Sequence, residues 1–261
     1  MGRVFEFTDA IVRRPARSVV YGLRAHGGAD PDYEAILAEH EAYVGALEAA
    51  GLRVTALAVL EAFPDSLFVE DPALVFTEGA IILNPGAQSR AGEAAEIAPV
   101  LHDHFDIVLA LAEGHADGGD VLAIGDIVMV GLSARTDKQG AEALLRSLQS
   151  LSRKGRIVET PKDVLHFKSD CSALDNETVL ATKRLAASGV FDGFRVILTE
   201  EGEEAAANAL HINENLFVGA QFPRTIEKLA SEGYAVIPLQ TEEISKIDAG
   251  LSCMSLRWRA A

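Results

Sequence analysis

The sequence predicts an α/β protein in which five ββαβ-like units form a ring within one domain spanning residues 1–261. Three observations lead there. A helix–glycine–strand phrase recurs along the chain, strand pairs fill the intervals between its copies, and the C-terminal strand lacks a following partner that the N-terminal segment VFEFTDAIV can supply. An open α/β sheet with an ordinary strand-then-helix rhythm is the alternative reading of the same pattern.

Taken in order, the first unit follows VFEFTDAIV. From Asp32 to Ala50, Tyr33, Ile36, Leu37, Val44 and Leu47 keep helical spacing, Gly51 is placed to end the helix, and RVTALAVL reads as a buried strand. SLFVEDPALVF and GAIILNPG make the next strand pair. A helix within Ala91–His102 follows, which the interior Pro99 is expected to kink or break, and then the strand DIVLAL from Asp106. GGDVLAIG and DIVMVGL turn at Gly125–Asp126 and precede a helix from Ala141 to Leu151 and the strand GRIVETP from Gly155. DVLHFKSD and ETVLAT lead to a helix in LAASGVF and to GFRVIL from Gly193. ANALHIN and NLFVGA turn at Asn213–Asn215 before PRTIEKLASEG, where Pro223 suits the first helical turn and Gly233 the end, and YAVIPL. The chain closes on LSCMSLRW. The anchors Gly51, Phe105, Gly155, Gly193 and Gly233 are roughly 40–55 residues apart, the spacing of stacked supersecondary repeats.

Composition narrows the function. The 261 residues carry 23 basic and 39 acidic side chains, a formal charge of −16, which opposes phosphate neutralisation and excludes a nucleic-acid binder. A hydrophobic content of 49% supports a large core, so disorder does not describe the chain. Two cysteines, Cys171 and Cys253, are too few for a disulfide scaffold and suit a reducing compartment. No apolar leader segment and no run approaching the ~18 residues of a membrane span is present. A soluble cytoplasmic protein is expected.

A ring brings equivalent strand ends to one axis, where reactive residues from different units can meet. Cys253 fits a small buried hydrophobe, but Gly250 and Ser252 give it a polar, close-approach setting that suits a nucleophile on a terminal strand. Cys171, close to a turn, reads as structural. His166 alternates with Leu165 and Phe167 in a strand, which fits either a packing residue or a base. Asp117 and Asp120 in ADGGD fit a glycine-rich turn or a functional pair. Asp65, Glu70 and Asp71 in FPDSLFVEDP stand out because no Lys or Arg occurs between Arg53 and Arg90, so their partner is either distant in sequence or a ligand. Paired zinc ligands, phosphate loops, dinucleotide fingerprints and G-x-S-x-G elbows are all missing. A cysteine, a histidine and several carboxylates remain, the equipment of covalent catalysis on a cationic substrate.

FPDSLFVEDP, NPGAQSR, DGGDVL, GLSARTD, LHFKSDCS, AANALHIN and KIDAGLSCMSL, in this order and across nearly the whole chain, closely resemble the dimethylarginine dimethylaminohydrolases. These are guanidino-group modifying enzymes with the five-bladed α/β propeller, or pentein, fold. The resemblance implies Cys253 as nucleophile, His166 as general acid and base, and Asp117 as acidic partner of the histidine and guanidinium. It implies that Asp71 grips the guanidinium beside Glu70, and that Asp65 and the Leu23 carbonyl receive the substrate α-amino group. Arg90 and Arg135 would bind the α-carboxylate, while Ile247, Asp248 and Ser252 line the pocket. The implied reaction is hydrolysis of Nω-methylated L-arginine to L-citrulline and a methylamine, with no metal or organic cofactor. Arginine deiminases share the fold but typically have His-x-Asp where this chain has His166-Phe167-Lys168, and some rings of this kind serve only as binding proteins. Rings of this kind often pair, which brings a homodimer into consideration, and Arg24–Asp32 is expected to act as a lid.

Overall fold

In a computed structural model, residues 4–24, 28–161 and 164–260 are described. Strand β1 (Asp9–Arg13), helix α1 (Tyr33–Ala49) and β2 (Arg53–Leu57) come first. A second unit has β3 (Ala73–Phe76), β4 (Gly79–Ile82), α2 (Glu93–His104) and β5 (Val108–Ala110), and a third has β6 (Val121–Ile124), β7 (Ile127–Leu132), α3 (Lys138–Ser150) and β8 (Lys154–Glu159). The fourth comprises β9 (Cys171–Ala173), β10 (Thr178–Ala181), α4 (Lys183–Ala186) and β11 (Arg195–Leu198); the fifth comprises β12 (Leu210–Ile212), β13 (Asn215–Gly219), α5 (Pro223–Ser231) and β14 (Val236–Leu239). After α6 (Glu242–Ser245), β15 (Ser255–Trp258) ends the chain.

These strands form five three-stranded sheets, each with one antiparallel and one parallel pairing. In the first sheet the C-terminal β15 runs antiparallel to β1, with Ile11 opposite Leu256, so the N-terminal strand completes the last unit as expected. Each middle strand presents alternate residues to its two neighbouring sheets, because side chains of a strand point alternately to either face. Ile11 of β1 packs with Ala80 and Ile97 of the second unit, whereas Ala10 and Val12 pack with Leu210 and Phe217 of the fifth. Ile81 joins the second sheet to Val128 and Val130 of the third; Met129 joins the third to Val179 of the fourth; Leu180 joins the fourth to Leu216 and Val218 of the fifth. Five apolar clusters thus link five sheets in a closed circle, which rules out the open-sheet alternative. Middle strands buried on both faces read as continuous apolar runs, and their detection in the sequence rests on that.

Helix ends follow local chemistry. Asp32 caps α1 by accepting from Ala35 N at 2.9 Å, and Gly51 at φ +95° turns the chain into β2. One expectation needs correction. Pro99 does not break α2: Ala95 and Pro99 are exposed, so the carbonyl lacking its donor faces water, while buried Ile97 and Leu101 hold the opposite side to the sheet. Gly155 lies in β8, the strand expected from it, where a Cβ would come within 2.3 Å of Leu145 Cδ2; the left-handed residue after α3 is Ser152, at φ 58°.

The inner strands β3, β6, β9, β12 and β15 line a central shaft of about 700 Å³. Because Ile11 is fully buried between two sheets, Ile11→Ala should destabilise the protein by about 2–5 kcal/mol in urea unfolding. Exposed Ile237→Ser should stay within about 0.5 kcal/mol of the parent.

Candidate active site

The chemistry-bearing residues stand just before the inner strands, in the turns that feed them. Asp65 to Asp71 precede β3, Asp117 to Asp120 precede β6, His166 precedes β9, and Leu251 to Met254 form a 3-10 turn before β15. His166 therefore is not in a strand. It opens a 3-10 turn at Phe167–Ser169, in which Ser169 N donates to His166 O at 3.0 Å, and the apparent alternation reflects burial of Phe167 in the core. Cys253 likewise sits in a turn rather than a strand, because one local and one long-range bond claim its backbone: Cys253 N donates to Gly250 O at 3.3 Å and Cys253 O accepts from Glu70 N at 3.2 Å.

Asp117, fully buried, accepts from Gly86 N at 2.7 Å through Oδ1 and meets His166 Nε2 at 3.2 Å through Oδ2. Asp71 accepts from Gly119 N at 2.9 Å, and a Cβ on Gly119 would lie 3.0 Å from Asp71 Oδ1 and 3.1 Å from the His166 ring. Glycine is required there because backbone, carboxylate and imidazole meet without room for a side chain. Asp120 accepts from Ser133 Oγ at 2.6 Å, Thr136 Oγ1 at 2.7 Å and Phe167 N at 2.8 Å, tying the His166 segment to the loop that carries Arg135. Sequence reasoning named Asp120 without a role; its signal was a second acid one turn from the first.

The adjacent carboxylates divide. Glu70 accepts from Lys168 Nζ at 2.5 Å, Arg257 at 3.1 Å and Ser252 Oγ at 3.1 Å. This cluster, whose cations lie far from Glu70 in sequence, lines the shaft, whereas Asp71, Asp117, His166 and Cys253 do not. Glu70 thus faces the shaft and Asp71 the His166 cluster.

Arg90 is the partner of Asp71. Buried at 4% exposure, it donates to Asp71, to both oxygens of Glu93, and to the carbonyls of Asp65 and Phe68 at 3.1 and 2.9 Å. Its guanidinium is engaged inside the protein, so a contact with a ligand carboxylate requires release from this network. Arg135 is half-buried, with its backbone against Gly86. Asp65 accepts from Leu23 N at 2.9 Å, and Gly22 lies against both Asp65 and Ile247, so these four share one wall. Asp248 is exposed in the left-handed region at φ 55°. Part of the expected lid, Ala25–Gly27, lies outside the described residues; Arg24 beside it is paired with Asp30 at 2.7 Å.

A residue absent from the sequence-based set also enters. Asn208, just before β12, accepts from Ser252 N at 3.0 Å and donates to Lys168 O at 3.1 Å. It falls within the motif AANALHIN, but a lone Asn before a strand carries no chemical signal of its own.

Asp71, Asp117 and His166 bring ligand atoms within 4.8 Å of one another. Both carboxylates already accept protein donors, and a metal ligand must be an unprotonated imidazole, whereas the acids around His166 favour its protonated form.

A family model described as arginine deiminase matches residues 50–204. The chain is 39% identical over 254 residues to N(G),N(G)-dimethylarginine dimethylaminohydrolase of Pseudomonas aeruginosa, covering 97% of this chain and all of the relative. The Streptomyces coelicolor protein of the same name is 34% identical, with 96% of each chain covered. A solved structure of the Pseudomonas aeruginosa enzyme, a cysteine-to-serine variant complexed with citrulline, superposes with a TM-score of 0.94 over 97% of this chain and 100% of that one. This chain belongs to the dimethylarginine dimethylaminohydrolase family. It therefore has the fold the sequence pattern indicated, and it is a hydrolase.

In this dimethylarginine dimethylaminohydrolase family member the site is electrostatically divided. Burial opposes a charge on His166, but the Asp117 hydrogen bond and the charges of Asp71 and Asp120 outweigh it and push the imidazole up to about 9. Burial, with Glu70 and Asp71, pushes the Cys253 thiol up to about 12, against a pull downward from the Gly250 hydrogen bond and Lys168. Burial also works against an ionised Asp71, yet Arg90 and His166 hold its carboxyl below the usual range. Near neutral pH the resting pair is thus an imidazolium beside a neutral thiol. Alkylation of Cys253 by iodoacetamide without substrate should climb about tenfold per pH unit beyond pH 10, where a thiol at its reference pKa of ~8.5 would have levelled off. Buried Cys171→Ser should leave that profile unchanged.

Proposed function

We propose that the protein converts Nω-methylated L-arginine, dimethylarginine or monomethylarginine, to L-citrulline and di- or monomethylamine through a thiouronium intermediate on Cys253. The observation that carries the reading is the convergence of Cys253, Asp71 and the Asp117–His166 pair in a chain that matches dimethylarginine dimethylaminohydrolases along their full length. Citrulline bound to the superposable relative supports the product class.

A guanidinium carbon is a weak electrophile because its charge is delocalised, so it needs a thiolate. Asp71, held ionised, receives the cation; Asp117, already hydrogen-bonded to His166, lies within reach of the same group. The arriving positive charge favours loss of the thiol proton to solvent. Cys253 sulfur then bonds to the guanidinium carbon, the imidazolium of His166 gives its proton to the methylated nitrogen, and that carbon–nitrogen bond breaks to release the amine. Neutral His166 next takes a proton from water as hydroxide adds to the same carbon. The carbon–sulfur bond breaks, and citrulline leaves. Asp65 and the Leu23 backbone would take the α-amino group, Arg90 and Arg135 the α-carboxylate, and Ile247, Asp248 and Ser252 the pocket wall. Residues 1–261 would act as one catalytic domain in the cytoplasm; among the described residues no helix is long and apolar enough to cross a membrane.

Lys168 favours the methylated substrate over arginine. Its ammonium is drawn to Glu70, so the position where deiminases typically carry Asp offers no carboxylate to an unmethylated nitrogen. Dimethylamine release from dimethylarginine should exceed ammonia release from arginine at equal concentration; the reverse ranking would overturn the assignment. Cys253→Ala should abolish citrulline formation, and mass spectrometry of quenched wild-type enzyme should locate the adduct on Cys253 rather than Cys171. With His166 at about 9, loss of its proton should bring kcat/KM down as pH rises beyond that value.

A further inference from the structure

We propose that Asn208 is a positioning residue that fixes the nucleophile turn against the general-acid segment. The inference rests on Cys253 and His166 being the reacting pair. Those two residues come from the fifth and third inner-strand turns in chain order, and the fourth, the turn before β12, lies between them in sequence. Asn208 occupies that turn. Its Nδ2 donates to the carbonyl of Lys168, two residues after His166, at 3.1 Å, and its Oδ1 accepts from the N–H of Ser252, the residue before Cys253, at 3.0 Å. Glu70 joins the side chains of these same two residues; Asn208 joins their main chains.

The residue type follows from the partners. One is a carbonyl and the other an N–H, met by two different atoms, so the side chain must carry a donor and an acceptor apart; on a stem this short the carboxamide does so, whereas a hydroxyl offers both from one oxygen. The reverse amide orientation would set oxygen against the Lys168 carbonyl and NH2 against the Ser252 N–H, so the partners fix it. Gly250 supplies an independent sign that the turn is built around this amide. A Cβ there would lie 2.5 Å from Asn208 Cγ and 2.6 Å from Oδ1, so the backbone that leads into Cys253 rests directly on the carboxamide plane. Cys253 N in turn donates to Gly250 O, which carries the placement to the nucleophile. On the other side, Asp120 holds Phe167 N, so the His166 segment is pinned by Asp120 before Lys168 and by Asn208 at it.

The test uses the full-length protein with dimethylarginine as substrate. Asn208→Asp keeps the shape and the acceptor but puts an oxygen against the Lys168 carbonyl; Asn208→Ala removes both bonds. Active sites are counted by iodoacetamide labelling of Cys253 at high pH followed by mass spectrometry, and kcat is expressed per labelled site. Both variants should lose about 10- to 100-fold in kcat per site, the effect of a reacting group displaced by about 1 Å, with KM changed by less than about threefold. Gly250→Ala, which pushes on the amide from the other side, should show the same split. A kcat per labelled site within about twofold of wild type in Asn208→Asp and Asn208→Ala, or a loss confined to KM or to the number of folded sites, would overturn the proposal. If Asn208→Ala fails to fold, the isosteric Asn208→Asp decides. Full activity in Cys253→Ala would instead overturn the underlying assignment, leaving the two failures distinguishable.

Discussion

Glu70 and Asp71 are neighbours in the chain, and each is about 4% exposed. Two ionised groups removed from water in this way need opposite charge and hydrogen bonds from the protein, and removing one partner of such a buried pair costs about 3–5 kcal/mol. The fold meets this requirement by turning the two side chains toward different cations. Glu70 takes Lys168 and Arg257, drawn from the fourth unit and the closing strand; Asp71 takes Arg90, which Glu93 holds in place. The Glu70 arrangement depends on a closed ring, because its cations are contributed by units remote in sequence, whereas Arg90 reaches Asp71 from within the same unit. Closure by β15 on β1 therefore fixes more than a hydrophobic seam: it delivers Arg257 to Glu70 and the Cys253 turn to Asp71.

The division also sets what each side of the cluster can do. Glu70 is held by three donors and faces the central shaft. Asp71 has its Oδ2 on Arg90 and Oδ1 on a backbone N–H, and it faces His166 across Gly119. Burial pushes Glu93 up to about 7 even against its Arg90 bond, so one carboxylate of the Arg90 network stands near its protonation threshold at neutral pH. Arg90 is thus shared among acids that do not hold it equally, and Asp71 is the one kept ionised.

Sequence reasoning reached the fold where burial leaves a periodic trace. The middle strands β4, β7, β10 and β13 are apolar on both faces, and the helices carry caps and terminal glycines, so the five units were legible. The ends of the inner strands were not. At Cys253 and His166 short i,i+3 turns are held in place by hydrogen bonds with Glu70, Asp120 and Asn208, residues distant in the chain, and local alternation imitated a strand. The same long-range character explains why the acid pair looked unpartnered: no cation lies within the segment, Arg90 arrives from later in the same unit, and only the ring brings Lys168 and Arg257 to it. Arg90 differs in kind, since a motif names a residue without showing that the protein already engages its donors.

The acids that would draw a cation to the proposed site are the ones that oppose ionisation of Cys253. Glu70 and Asp71 contribute to a thiol near 12, far too high for neutral-pH chemistry in the empty site. A guanidinium arriving about 4 Å from the sulfur contributes about 4 kcal/mol at an effective dielectric constant of 20. At about 1.4 kcal/mol per pKa unit, that lowers the thiol from about 12 to about 9, and removal of water from the closed site strengthens the effect further. The imidazolium needs no such adjustment, because at about 9 it is already protonated and ready to donate. One partner of the pair is therefore set by the protein and the other by the ligand's own charge. A neutral ligand of the same shape would occupy the pocket without creating a thiolate, so charge governs reaction as well as binding, and the strongly acidic wall makes that selection possible.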